Sequence, residues 1–168
     1  MALKRQRVKQ GDVFKVDLLD GSWSFGIVAA GNDCAFFDLR TNETPSLDEI
    51  ISHEIVFRVP VDKEALASGR WQILGHVSLA GALAEIAAYR NQPVGSNQLF
   101  IYKGGKVTPA SLDEAKDLEL LSTWFDVHVE ERLMDHFSGR PNRTAEYFKI
   151  IKCYDPKTGQ EIRRPGKG

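Results

Sequence analysis

The chain opens with a short-period alternation. Across residues 12–18, Val13, Lys15 and Asp17 alternate with Phe14, Val16 and Leu18. A period of two marks a strand. Asp20-Gly21 follows, the dipeptide of a two-residue hairpin turn, so residues 23–30 are expected to return as the partner strand. Gly26 inside that return predicts a bulge or a close backbone approach. Residues 31–33 (GND) make a second turn and 34–39 (CAFFDL) a third strand. Residues 41–46 are loop chemistry, and 55–61 (IVFRVPV) read as a fourth strand, with Pro60 marking an edge or an end. Residues 62–69 read as one capped helical turn, Asp62 capping it and Gly69 closing it. Residues 70–77 (RWQILGHV) are a fifth strand.

The second half changes period. Residues 78–90 are Ala-rich and predict a helix, which Gly81 weakens. A linker at 91–97 leads to a hairpin around Gly104-Gly105. Ser111 and Glu114 have the spacing of a capping box, so a helix begins near Leu112. A break is expected near Trp124, with Asp126 capping a second helix that Gly139 ends. Residues 147–154 (YFKIIKCY) predict a last strand, and 163–168 a frayed tail. The expected fold is α+β: a twisted, partly closed antiparallel sheet in the N-terminal half, with helices from the C-terminal half packed on it. The expected organisation is a single domain over 1–168. It comprises a basic arm (1–10), a β-rich half (11–77), a mixed half (78–162) and a tail (163–168).

Composition narrows the class. Cys34 and Cys153 give neither a metal-binding spacing nor a disulfide framework. Residues 1–14 are basic without an apolar core, so no signal peptide is read, and no apolar run is long enough to span a membrane. The expected compartment is the reducing cytoplasm. The net charge of -1 conceals segregation. Lys4, Arg5, Arg7 and Lys9 stand in the first ten residues without an acid. Asp113, Glu114, Asp117, Glu119, Asp126, Glu130, Glu131 and Asp135 face only Lys116 and Arg132 within 111–137. Such segregation suggests a partner with a field of its own, or a self-neutralising surface. The basic arm reads as a solvated tail, since no aromatics are interleaved with its charges.

Residues 128–139 (HVEERLMDHFSG) are the densest candidate chemistry. On a helix, Phe125, Val129, Leu133 and Phe137 form one drifting apolar stripe that takes in His136, while His128, Glu131, Arg132 and Asp135 line its flank. A shared metal fails on distance, because His128 and His136 lie eight positions apart, roughly 12 Å along the axis. Without a nucleophile motif or a phosphate loop, the segment reads as a charged helix with i,i+3 and i,i+4 ion pairs. No catalytic residue, metal or cofactor is expected. His136 reads as a core-edge histidine, Trp71 as core with Arg70 packed over it, and Arg58 as facing solvent in preference to a charge-paired groove. Both cysteines read as buried small apolar residues.

Residues 11–28 (GDVFKVDLLDGSWSFGIV), 35–40 (AFFDLR), 55–75 (IVFRVPVDKEALASGRWQILG) and 128–142 (HVEERLMDHFSGRPN) together resemble the immunity protein 26 family of bacterial polymorphic toxin systems. The resemblance rests on Gly11 to Phe14, Gly26, Phe57 to Val59, Gly69 to Trp71, Gly75, and His128, Glu130, Arg132, Asp135, His136 and Gly139 in this order. It implies a cytosolic antidote that binds a cognate toxin, in many such systems a nuclease, with no reaction of its own. An acidic helix could then imitate a nucleic-acid backbone in a basic cleft. Asp117, Glu119, Glu130, Glu131 and Asp135 are the expected partner-steering residues. Arg58, Trp71, His128, Arg132 and His136 are expected as anchors or structural residues. The alternatives are a barrel-like module binding RNA or a peptide, against which the acidic segment argues for RNA, and an enzyme using His128, Glu131 or Asp135.

Overall fold

The computed structural model describes residues 2–165. They cluster into two compact units: the described residues up to 86 with 122–140, and residues 87–121 with the described residues from 141 onward.

The first unit is built on an antiparallel five-stranded sheet. Its strands are β1 (Asp12–Asp17), β2 (Trp23–Val28), β3 (Cys34–Phe37), β4 (Ile55–Val59) and β5 (Gln72–His76), in the order β4-β3-β2-β1-β5. Two edges remain, so the sheet is open and not a closed barrel. The short helices α1 (Leu47–Ser52) and α2 (Glu64–Ala67) connect strands, and α4 (Asp126–Phe137) is the longest helix. The α+β class expected from the sequence is therefore the one observed.

Alternation assigns the two faces. Val13, Phe25, Ile27, Ala35 and Phe37 pack on one face with Ile50 of α1. On the other face Phe14, Gly26, Phe36 and Phe57 stand side by side across four paired strands. A Cβ at Gly26 would meet the Phe14 ring at 2.5 Å and the Ala35 carbonyl oxygen at 2.9 Å. The missing side chain thus makes room for the ring of its cross-strand partner. Phe14 uses that room to stack on Trp71, with centroids 5.4 Å apart and planes at 4°. Phe36 meets both rings edge-on, at 5.8 and 5.7 Å. Such pairs add roughly 0.5–1.5 kcal/mol beyond burial.

The second unit contains a meander of β6 (Ala88–Asn91), β7 (Leu99–Lys103) and β8 (Lys106–Ala110), and a hairpin of β9 (Ile150–Tyr154) and β10 (Glu161–Pro165). The short helices α3 (Leu112–Ala115) and α5 (Arg143–Phe148) complete it. Ser111 forms the expected capping box with Glu114, and β7–β8 turn at Gly104-Gly105 as expected. Leu99, Ala115 and Ile151 make its small buried cluster.

Several local expectations are corrected. Residues 78–90 form no α-helix: a 3-10 turn spans Gly81–Ala84 and β6 takes the rest. The reason is tertiary. Leu83 packs on the sheet, its carbonyl accepts the Ala30 N–H at 3.0 Å, and Arg58 takes the Ala82 and Glu85 carbonyls. The β1–β2 loop is also wider than two residues. Leu18 donates to the Ser22 carbonyl, leaving Leu19-Asp20-Gly21 as the tip. Leu19 there takes φ 62°, a left-handed conformation that costs a side-chain-bearing residue about 1–2 kcal/mol. Helices α1 and α5 were not anticipated. Phe125, not Asp126, is the N-cap of α4, while Gly139 ends it with φ 70°. Arg163 belongs to β10 and not to a frayed tail; residues 166–168 of that expected tail lie outside the described residues.

The basic arm is docked. Gln6 accepts from the Ile73 N–H and donates to the carbonyls of Leu66 and Trp71, joining α2 to β5. Arg5 pairs with Glu64 at 3.1 Å, which holds that carboxyl below its usual range.

Candidate partner-binding face

Helix α4 starts where residues 122–125 run alongside the chain after β4. Trp124 donates to the Pro60 carbonyl and Asp62 donates to the Trp124 carbonyl, both at 2.9 Å. This seats the Trp124 ring 6.5 Å from Phe57 and lays the helix over the aromatic face. Val129 and Leu133 are fully buried there. The guanidinium of Arg132 lies 4.0 Å over Phe57 and 5.0 Å from Trp124, a cation–π contact with two rings.

The first half of α4 meets the two residues just before β5 through one polar node. Arg70 donates twice to Glu130, at 2.8 and 2.7 Å, a bidentate geometry that is among the strongest an ion pair adopts. The indole Nε1 of Trp71 donates to the same carboxylate at 3.1 Å. Asp126 adds a contact to Arg70 at 3.2 Å. Hydrogen bonding to Glu130 pushes the Arg70 pKa above the usual arginine range, with the charges of Glu130, Asp126 and Asp17 adding to it against partial desolvation. Trp71 is fully buried, as expected.

The expected site residues now fall into distinct positions. Glu130 leaves the steering set: it is 7% exposed and its charge is already spent on Arg70 and Trp71. Arg58 does not face solvent. It pairs with Asp33 at 2.8 Å and donates to three backbone carbonyls, those of Ala30, Ala82 and Glu85, so it acts as a staple. His136 is not in the core stripe but exposed, with its ring 2.8 Å from Asp38. Phe137 is only half-buried. Asp135 pairs with Arg140 at 3.2 Å. His128 and Glu131 are exposed on α4. Asp117 and Glu119 belong to the second unit, Asp117 exposed and Glu119 half-buried. Of the cysteines, Cys34 is buried and Cys153 only half-buried. No group of three His, Cys, Asp or Glu side chains that could hold a metal occurs among the described residues.

The exposed apolar residues that sequence reasoning missed include Leu19 (78% exposed), Phe125 (53%) and Val127 (49%). Two signals were available. A leucine beside Asp-Gly in a turn is out of place chemically, and a phenylalanine stands at an N-cap where Ser, Thr, Asp or Asn is preferred. Phe125 fitted the step of four that defined the apolar stripe, so it was assigned inward.

The fold is that of an α+β protein whose five-stranded sheet carries α4 over its aromatic face. A family model described as immunity protein 26 matches residues 9–98, more than half of the chain, and the chain belongs to that family. No curated protein and no solved structure matches it. The matched segment runs from before β1 through β6, so it includes all five strands of the first unit's sheet and stops short of α4. Among the described residues no helix is long and apolar enough to cross a membrane.

Proposed function

We propose that this protein binds a cognate bacterial toxin in the cytoplasm of the producing cell and blocks it by covering its active site or functional surface, without turnover of its own. The family match over residues 9–98 carries this reading. The acidic side chains support a mode of action. Glu131 and Asp117, which are exposed, with the partly buried Asp135 and Glu119, steer the protein toward a basic surface, such as the phosphate-binding cleft of a nuclease. Steering of this kind raises association rates, up to about 10⁸–10⁹ M⁻¹s⁻¹ at low salt, and rejects wrongly charged partners.

The direct test is co-expression with the toxin domain encoded in the neighbouring reading frame. Growth rescue and a stable complex are expected, and a toxin that kills equally well in the presence of the protein refutes the reading. The charge component has its own test. With Asp117, Glu119, Glu131 and Asp135 all changed to amides, association is expected to slow at least tenfold at low salt and to lose most of its salt dependence. An unchanged rate removes these carboxylates from the docking path.

A further inference from the structure

We propose that the second unit holds a binding pocket for a small aromatic monocarboxylate, in which the buried Arg90 guanidinium receives the carboxylate. This site is separate from the toxin-binding reading and does not depend on it.

A cavity of about 240 Å³ lies within that unit, walled by residues of β6, α5, β9 and β10 and those beside them. Three cations line it, Arg90, Lys152 and Arg163, with the rings of Tyr147, Phe148 and Tyr154. No carboxylate stands among the described residues of the lining. Ligand sites commonly combine such an apolar and aromatic wall with a few placed polar groups.

The first observation is the situation of Arg90. Its backbone is held on both sides. It pairs with Ile101 of β7, and on the other side its N–H donates to the Glu119 carbonyl at 2.8 Å while its own carbonyl accepts the Leu121 N–H at 2.7 Å. The side chain reaches α5, where Nη2 donates to the Phe148 carbonyl. Only 3% of Arg90 is exposed, and its buried Nε has no hydrogen-bond partner. Arginine keeps its charge even there, although burial pulls its pKa down against the opposing charge of Glu119. A buried charged donor left unbonded is costly. Such atoms are rare in native proteins, and an ion or a water completes many of them.

The second observation is charge. Lys152 and Arg163 are more open, and both lean on one carboxylate, Glu161, at 3.9 and 2.7 Å. Arg90, Lys152 and Arg163 thus meet Glu161 and the charge of Glu119, which leaves one positive charge over. A monoanion neutralises it, and the Arg90 Nε–H offers that anion a charge-assisted hydrogen bond.

The third is shape. Tyr147 and Phe148 stand with ring centroids 6.2 Å apart, and the Arg163 guanidinium lies 5.2 Å over Tyr147. Walls of this kind receive a flat ring through edge and offset contacts. The cavity is smaller than the roughly 300–1,000 Å³ of drug-sized sites, which suits an acid with a single ring. The walls are also tied together. Arg90 joins β6 to α5, and Gln92 joins it to β9 by donating to the Lys152 carbonyl. A site assembled beforehand binds with a smaller ordering cost.

The test is a titration of benzoate into the isotope-labelled full chain, followed through the amide and arginine Nε–H resonances. Saturable shifts at Arg90, Phe148 and Lys152 are expected, with a Kd of about 1 mM or tighter. Benzyl alcohol, the same ring without the charge, is expected to bind about tenfold more weakly or worse. Arg90→Met is expected to weaken benzoate binding about tenfold or more, and Lys152→Met, at a partly exposed position, about threefold. Lys106→Met, which removes an exposed cation at the start of β8, is expected to leave Kd unchanged. Should Arg90→Met fail to fold, the contrast between Lys152→Met and Lys106→Met decides. Absence of saturable shifts at Arg90, equal affinity for benzyl alcohol, or equal Kd in the two lysine variants overturns the site.

Discussion

The two units of the chain are built to different depths. In the first, strands β1 to β3 are buried almost throughout, because helices and loops cover both faces of the sheet. Among its described residues the second unit buries only Tyr89, Leu99, Ala115 and Ile151 as apolar side chains. Its sheets are small, and much of β8 and β10 is exposed. Local stability follows the density of buried apolar contacts. The first unit is therefore the rigid platform, and it contains all five strands of the family-matched sheet. The second unit is more easily opened. Strain at Leu19 is affordable because the sheet beneath it is over-determined.

That contrast can be broken at its strongest point. Trp71→Ala removes the ring that Phe14 and Phe36 pack against and leaves Glu130 without one donor. A loss of about 3–5 kcal/mol is expected in chemical denaturation. A loss below about 1 kcal/mol would mean that the aromatic face does not hold the platform together.

The polar node should rank next. Glu130→Ala strands the buried Trp71 N–H, whereas Arg70 is partly exposed and can turn to water. The expected cost is about 2–3 kcal/mol. Arg140→Ala, which breaks the exposed pair with Asp135, should cost no more than about 0.5 kcal/mol. Equal effects from the two changes would show that burial does not separate these ion pairs.

The smallest effect concerns chemistry at single residues. Cys34 is fully buried in the first unit, and burial pushes its thiol pKa well above the ordinary range. Cys153 in the second unit is only half-buried. Reactivity requires the thiolate, so a thiol reagent at pH 8 should label Cys153 in the native protein and reach Cys34 only after denaturation. Labelling of both at the same rate would contradict the difference in depth. Hydrogen exchange sharpens the same point: amides of β1 to β3 should be protected longer than those of β9 and β10.

Much of the first unit was legible because its code is local. Alternation placed β1, and turn residues separated the strands. Gly26 signalled the close approach that Phe14 makes. The capping box at Ser111 and the stop at Gly139 were equally local. The Ala-rich residues 78–90 misled because helix propensity, worth only tenths of a kcal/mol per residue, yielded to the sheet and to Arg58. Arg58 itself alternated like a solvent-facing residue, and nothing nearby in sequence announced that Asp33 and the carbonyls of Ala30, Ala82 and Glu85 would converge on it. The candidate site failed in the same manner. Glu130 and Glu131 are adjacent and chemically alike, yet one is bound by Arg70 and Trp71, sixty and fifty-nine positions away, while the other is exposed.

The sequence by itself determined strands β1 to β5, the β7–β8 hairpin, the capping box at Ser111, the stop at Gly139 and the α+β class, since these follow from dihedral preference and from periodicity over a few residues. It also carried enough of the family pattern to be read. Only the tertiary structure decided which carboxylates remain available, which apolar residues are left outside, and how Arg58 comes to staple the Ala-rich segment to the sheet. Those outcomes depend on burial and on partners distant along the chain, and a local pattern contains neither.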